Sequence, residues 1–209
     1  SGSHGKQTAV ILDRIEQVLV KENPSIILVQ GDTNSVLAGA LAASKLHIKV
    51  GHIEACLRSN DKLMPEEINR IIADHTADYL FAPTEDSKMN GIKDNLPEHR
   101  IFVTGNTIVD SVLQNIKLAE CRGDVFEKMG VKKNDYILLT LHRQENVDDR
   151  ERLNGILEGL KLLYQELNLP IIYPVHPRTE KMLKTFNLDV PEGLTIIRPV
   201  SFLDFLNLE

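Results

Sequence analysis

The sequence predicts an α/β protein built from two Rossmann-like, doubly wound parallel-sheet units in tandem. Three observations carry that prediction. Short apolar runs of strand length alternate with segments of helical periodicity. The alternation breaks off in a charged, glycine-containing stretch and then restarts. Acidic residues and histidines stand just after several of the apolar runs, at the strand ends where open α/β sheets hold ligands.

Taken in order, Val10, Ile11, Ile15, Val18 and Leu19 follow helical spacing over Gln7 to Lys21, and Asn23-Pro24 ends that helix. Ser25 to Gln30 is a continuous apolar run suited to a buried parallel strand. Gly31-Asp32-Thr33-Asn34 makes a turn into a small-residue helix, Val36 to Leu46, and Lys49 to Ala55 returns as a strand. Pro65 opens the next helix, running to about Ala77, with Glu66 and Glu67 in its first turn, where proline and carboxylates are both favoured. Strand Tyr79 to Ala82, a short helix from Glu85, strand Ile101 to Thr104 and helix Thr107 to Ala119 complete the first unit. Cys121 to Asp135, interrupted by Gly123 and Gly130, reads as the connection, so the units are expected at residues 1–120 and 121–209. The second unit alternates strand Tyr136 to Leu141, helix Glu151 to Leu167, strand Ile171 to Val175, helix Thr179 to Phe186, strand Leu194 to Ile197 and helix Phe202 to Leu208. Tandem units of this kind are expected to enclose a ligand cleft.

The net charge of −6 and pI near 5.7 argue against a nucleic-acid partner, yet leave room for anionic small molecules held by local arginines or backbone N–H groups. No apolar run approaches the ~18 residues of a membrane span. Two cysteines, Cys56 and Cys121, without metal or redox spacing, fit a reducing cytoplasm. The chain lacks an initiator methionine and stops at Glu209 inside an apolar helical pattern, so it is expected to be an internal piece of a longer protein. No Walker A loop, GxGxxG fingerprint or GxSxG elbow is present, and no spacing suits zinc or calcium.

The stretch from Gly51 to Arg70 concentrates the chemistry. Glu54 closes one strand, and shares parity with Ile48, Val50 and His52, which predicts a costly buried carboxylate. Asp32, His142 and His176 also follow strands. Asp32 is equally suited to capping the next helix, and Glu66 and Glu67 to complementing its dipole. Arg70, four residues after Glu66, shares its helix face and could orient that carboxylate or meet phosphate.

The motifs VQGDTNSVLAGALAA, GHIEACLRS, PEEINR, LFAPTE, FVTGNTIVD, LHRQENVD and YPVHPRT, in this order over nearly the whole chain, resemble the non-hydrolysing UDP-N-acetylglucosamine 2-epimerases. The resemblance implies a glycosyltransferase-B-like arrangement of two Rossmann-like domains with UDP between them, both truncated here. It implies cofactor-free inversion at carbon 2 through 2-acetamidoglucal, giving UDP-N-acetylmannosamine. Carried over by motif, Asp32, Glu54 and Glu66 are the family's essential carboxylates and His142 its nucleotide-side histidine. Arg143 and His176 match positions that in some bacterial relatives hold a second, activating UDP-N-acetylglucosamine. Asn106 is placed to reach a ligand or to cap the next helix, and Phe205 matches a position beside uracil or packs in the core. The resemblance also implies a homodimer for the full-length protein.

Three departures qualify the resemblance. The family's GTRPE and SGG-x-QEEA motifs have no counterpart, and Cys56 stands where HxEAGLR usually has glycine. If that glycine serves a positive φ, Cys56 strains the loop by ~1–3 kcal/mol. A non-catalytic nucleotide-sugar binder and a hydrolysing epimerase that releases UDP and N-acetylmannosamine are the alternative readings, and this piece alone is expected to turn over weakly or not at all.

Overall fold

The computed structural model describes residues 3–121 and 124–209. Gly123, one of the glycines expected to interrupt the connection, lies outside the described residues, as do Ser1 and Gly2. Contacts divide the chain into two compact units between Asp110 and Ser111.

The first unit begins with α1 (His4–Glu22), capped by the Ser3 hydroxyl and ended by Asn23 in the left-handed conformation. There follow β1 (Ile26–Gln30), α2 (Asn34–Lys45), β2 (Lys49–Ile53), α3 (Pro65–Thr76), β3 (Tyr79–Ala82), α4 (Glu85–Lys93) and β4 (Ile101–Val103). The strands are all parallel in the order β1-β2-β3-β4. Right-handed crossovers between strands laid down in sequence order put every connecting helix on the same face. Val29, Val50, Leu80 and Ile101 accordingly pack with Leu19, Val36, Ala40, Ala43, Ala73 and Ala77 in one core. The alanines and Gly39 of α2 let it lie close: a Cβ at Gly39 would stand 3.1 Å from Val29.

The opposite face carries Ile26, Leu28, Tyr79 and Phe102, all exposed. The run Ser25 to Gln30, expected to be buried, is therefore an edge strand open on one side. Helices on both faces would require the strand order to reverse, and among the described residues it does not.

Helix α5 (Thr107–Glu120) carries the division between the units. The second unit continues with α6 (Asp124–Met129), β5 (Ile137–Leu138), α7 (Gln144–Val147), α8 (Arg150–Leu167), β6 (Ile171–Pro174), α9 (Pro177–Phe186), β7 (Leu194–Ile197) and α10 (Phe202–Leu208). Its parallel sheet has the order β5-β6-β7. The charged stretch read as a connection contains α6, whose Val125 is buried and whose Phe126 ring lies 6.3 Å from Tyr136. Leu153, Leu157, Ile171, Tyr173 and Leu183 form the core. Tyr173 donates its hydroxyl hydrogen to the Leu141 carbonyl, and so does Thr179 at 2.7 Å, which pins the segment ahead of His142. Among the described residues, no helix is long and apolar enough to cross a membrane.

Gly193 joins two demands at one residue. Its φ of +83° favours glycine, and a Cβ there would meet the Tyr164 ring at 2.1 Å. Gly130 has φ +67° with open space around the same position. Gly130→Ala is expected to lower stability by about 1 kcal/mol, the conformational cost alone. Gly193→Ala adds overpacking against a ring and should cost about 2–4 kcal/mol, a difference that urea denaturation of the two variants measures.

Candidate active site

The turn after β1 and the turn after β2 stand side by side, because Gln30 pairs with Ile53 in the ladder and the Gly31 N–H donates to the Ile53 carbonyl at 3.1 Å. Asp32 follows the first and Glu54 the second. Thr33, not Asp32, is the N-cap residue of α2. The Asp32 carboxylate turns instead to Arg70, whose Nε and Nη2 donate to Oδ2 at 3.1 and 2.6 Å. Asn69 of the same helix donates to the Asp32 carbonyl at 2.8 Å. Arg70 thus orients Asp32, whereas helical spacing pointed it toward Glu66.

Glu54 departs from the alternation argument. β2 ends at Ile53, and Glu54 has φ +64°, a left-handed conformation that takes its side chain out of the strand's alternation. The carboxylate is half-buried rather than buried with Val50 and His52. Its Oε1 accepts the Gln30 amide at 3.0 Å, and the same amide reaches Thr107 Oγ1 at 3.0 Å. Glu66 is half-exposed in the first turn of α3, and its carboxylate makes no hydrogen bond or ion pair among the described residues.

Its neighbour Glu67 does more than complement a dipole. It is buried, and its oxygens accept the Ser59 and Asn60 N–H groups at 2.9 and 3.1 Å and Arg70 Nη1 at 3.0 Å. Burial pushes this carboxyl up, but the Ser59 and Asn60 amides and the Arg70 guanidinium outweigh it and hold it below its ordinary value. Glu67 therefore ties the loop before α3 to the arginine that holds Asp32.

A second group of buried ions lies along the same helix. His52 Nδ1 is 2.7 Å from Asp74 Oδ1, and its Nε2 is 2.8 Å from the Gly31 carbonyl. Asp74 also accepts the Cys56 N–H, at 3.2 and 3.1 Å, and Arg58 Nη1 at 2.7 Å, while Arg58 Nε donates to Asp94 at 2.6 Å. Cys56 sits in the left-handed region at φ +64°, where the resemblance leads one to expect glycine. Burial, and then the Asp74 charge, push its thiol up to about 12.

In the second unit His142 and His176 are exposed and their rings lie 5.9 Å apart. His176 is the N-cap of α9, its Nδ1 accepting the Arg178 N–H at 3.2 Å. Arg143 is exposed and stands 3.8 Å from Glu145. Phe205 lines a cavity of about 390 Å³ together with Asn134, Tyr136, Leu138, Thr140, Leu208 and Glu209. Asn106, in the first unit, caps α5: its side-chain oxygen accepts the Ile108 N–H at 3.1 Å.

Sequence reasoning did not mark Gln30 or Asp74, and gave Glu67 only a dipole role. A glutamine ending an apolar strand and a carboxylate inside an otherwise amphipathic helix were the available signals. Their partners are remote in sequence or in loops: Glu54 and Thr107 for Gln30, Ser59 and Asn60 for Glu67, His52 and Cys56 for Asp74.

The family model described as UDP-N-acetylglucosamine 2-epimerase matches residues 1–209. The UDP-N-acetylglucosamine 2-epimerase of Methanocaldococcus jannaschii is 54% identical, over 100% of this chain and 59% of its own length. The UDP-2,3-diacetamido-2,3-dideoxy-D-glucuronate 2-epimerase of Pseudomonas aeruginosa is 41% identical over 98% of this chain and 56% of its own. Among solved structures, the M. jannaschii enzyme in complex with UDP-GlcNAc and UDP aligns with a TM-score of 0.92 and 53% identity, covering 98% of this chain and 58% of that one. The Neisseria meningitidis enzyme bound to UDP-GlcNAc gives 0.85 and 31%, covering 99% and 58%. The chain thus spans just under three-fifths of the length of these relatives.

Two outcomes follow from this geometry. A thiol reagent at neutral pH is expected to modify exposed Cys121 and spare buried Cys56 until the protein is unfolded, so quantifying reacted thiols before and after denaturant checks the site. Glu67→Gln should lose about 2–3 kcal/mol at neutral pH, since it removes charge-assisted bonds from a buried acceptor. The folded carboxyl titrates below its ordinary value of 4.5, so its contribution is fully present above that value and fades as pH falls through the lower, folded one. Parallel denaturation curves should show the gap between parent and variant closing as pH is lowered below 4.5.

Proposed function

Because this chain belongs to the UDP-N-acetylglucosamine 2-epimerase family, we propose that the longer protein it represents inverts carbon 2 of UDP-N-acetylglucosamine without hydrolysing it, in the cytoplasm. The observation that carries the reading is the grouping of Asp32 and Glu54 on adjacent strand ends, with Glu66 on the helix whose Arg70 and Asn69 hold Asp32. In the first half-reaction a carboxylate takes the proton from carbon 2, the bond from carbon 1 to the UDP oxygen breaks, and a carbon 1–carbon 2 double bond forms. In the second, the intermediate 2-acetamidoglucal is protonated at carbon 2 on the other face and the UDP oxygen adds back to carbon 1. The hydrogen moves as a proton throughout, so the route calls for positioned acid–base groups and donors to the departing pyrophosphate rather than a redox cofactor.

Asp32, Glu54 and Glu66 form the proton-handling set in this reading. His142, with Arg143 and His176 in the same unit, serves the nucleotide and phosphate side, and Phe205 the base. Arg70, committed to Asp32 and Glu67, acts as a positioning residue. A second substrate class has a specific observation behind it: the Pseudomonas relative named for a 2,3-diacetamido uronate sugar is also similar over nearly the whole chain.

The test uses the longer protein in heavy water. One deuterium at carbon 2 of the UDP-N-acetylmannosamine product per turnover is expected by mass spectrometry, and Glu54→Gln should lower kcat by about 10²–10⁴-fold while UDP still binds. Free N-acetylmannosamine with UDP would point to a hydrolysing enzyme, UDP binding without turnover to a binding protein, and retention of the substrate's hydrogen with full activity in Glu54→Gln would remove the mechanism.

A further inference from the structure

His52 is fully buried, and both of its ring nitrogens face hydrogen-bond acceptors. The Gly31 carbonyl 2.8 Å from Nε2 has no hydrogen to give. Asp74, 2.7 Å from Nδ1, already accepts the Cys56 N–H and the Arg58 guanidinium on the same carboxylate, which assigns it the ionised, acceptor-only form. A neutral imidazole has one donor and would leave a nitrogen lone pair against an acceptor oxygen at a fully buried ring. We infer that His52 carries a proton on each ring nitrogen in the folded protein, and that as this double donor it is the positioning residue that locks the Asp32 turn to the Glu54 turn.

The charges around it support that assignment. Along the contacts, His52, Asp74, Arg58 and Asp94 alternate cation and anion, and no formal charge is left over. A protonated His52 completes this balance, and a neutral one would leave the group with an unmatched anion in part-buried surroundings. The mechanical consequence is direct. The carbonyl held by Nε2 belongs to the peptide whose N–H is that of Asp32, so the ring sets the plane from which Asp32 departs. At its other nitrogen the ring holds Asp74, which grips the Cys56 N–H, and Glu54 lies between His52 and Cys56. The left-handed backbone at Glu54 and Cys56 is thus fastened at both ends by one ion pair. None of these groups needs to touch a substrate for the lock to matter, because a small misplacement of acid–base groups costs large factors in rate.

The proton assignment is tested on the chain as it stands, without any activity. Nitrogen-15 spectra of the seven histidines at neutral pH, with the buried ring assigned through its β-carbon, should show both His52 nitrogens protonated and both ring protons slow to exchange. A bare nitrogen on that ring would overturn the assignment. The positioning role rests on the functional reading given above and is tested in the longer protein with His52→Gln, which retains a single donor group. A fall in kcat of about 10- to 100-fold with KM and UDP affinity little changed is expected, accompanied by shifts of the Asp32 and Cys56 amide resonances. Unchanged kcat with unchanged amide shifts would overturn it. Absence of epimerase activity in the unsubstituted protein would count against the functional reading, while the spectra would still decide the state of the ring.

Discussion

The first unit depends on α3 bringing charged side chains back beneath two strand ends. Glu67, Arg70 and Asp74 lie on one helix, and each reaches a different loop or strand end: Ser59 and Asn60, Asp32, and Cys56 with His52. Removing one partner of a fully buried pair such as His52 and Asp74 leaves an uncompensated charge, at a cost of about 3–5 kcal/mol. Apolar replacements could stabilise the unit as well, but they would not fix three segments in defined directions. Buried ions here are better understood as geometry than as glue.

Topology explains why α3 is available for this. With strands in sequence order and right-handed crossovers, α2, α3 and α4 share one face, and α3 runs from the end of β2 back to the start of β3. Its first turn therefore begins near the carboxyl ends of the strands, where Asp32 and Glu54 stand, and its later residues pass under β2. The same one-sidedness leaves Ile26, Leu28, Tyr79 and Phe102 exposed on the other face.

Much of this was legible in the sequence, and the exceptions have physical causes. Asn23-Pro24, Pro65 and the small-residue run of α2 marked helix ends and close packing because they act through local backbone geometry. The placing of Asp32 and Glu54 at strand ends followed from apolar run lengths. What Glu54 faces did not, because strand parity holds only while the backbone stays extended, and φ +64° breaks it. The one-sided sheet was invisible because periodicity reports burial within a segment and not the order in which strands are laid side by side. Helix α6 was hidden in a charged stretch because it is only six residues long, so its apolar residues Val125, Phe126 and Met129 span too few turns to show a period. Glu67 and Asp74 looked like ordinary helix carboxylates, since helical periodicity does not point to partners on β2 and in the turn and loop after it.

Asp32, Glu54 and Glu66, the carboxylates of the proposed proton-handling set, are fixed by unequal means, and the inequality is informative. Asp32 is held through Oδ2 by a guanidinium, leaving Oδ1 without a partner among the described residues. Glu54 is held through Oε1 by a neutral amide, with Oε2 likewise unengaged. Glu66 has no such tether. Each of the first two therefore presents one free oxygen in a fixed direction, which is what a pre-organised acid–base group requires. Holding Glu54 that way demands a left-handed backbone that costs an ordinary residue about 1–2 kcal/mol, and Cys56 repeats the demand two positions later. Such strain persists only where the surroundings over-determine the conformation. The Asp74 carboxylate on the Cys56 amide, the Phe81 carbonyl on the Ala55 amide and the His52 ring on the Gly31 carbonyl together supply that constraint. The buried ions and the strained turn are thus one device, each accounting for the presence of the other.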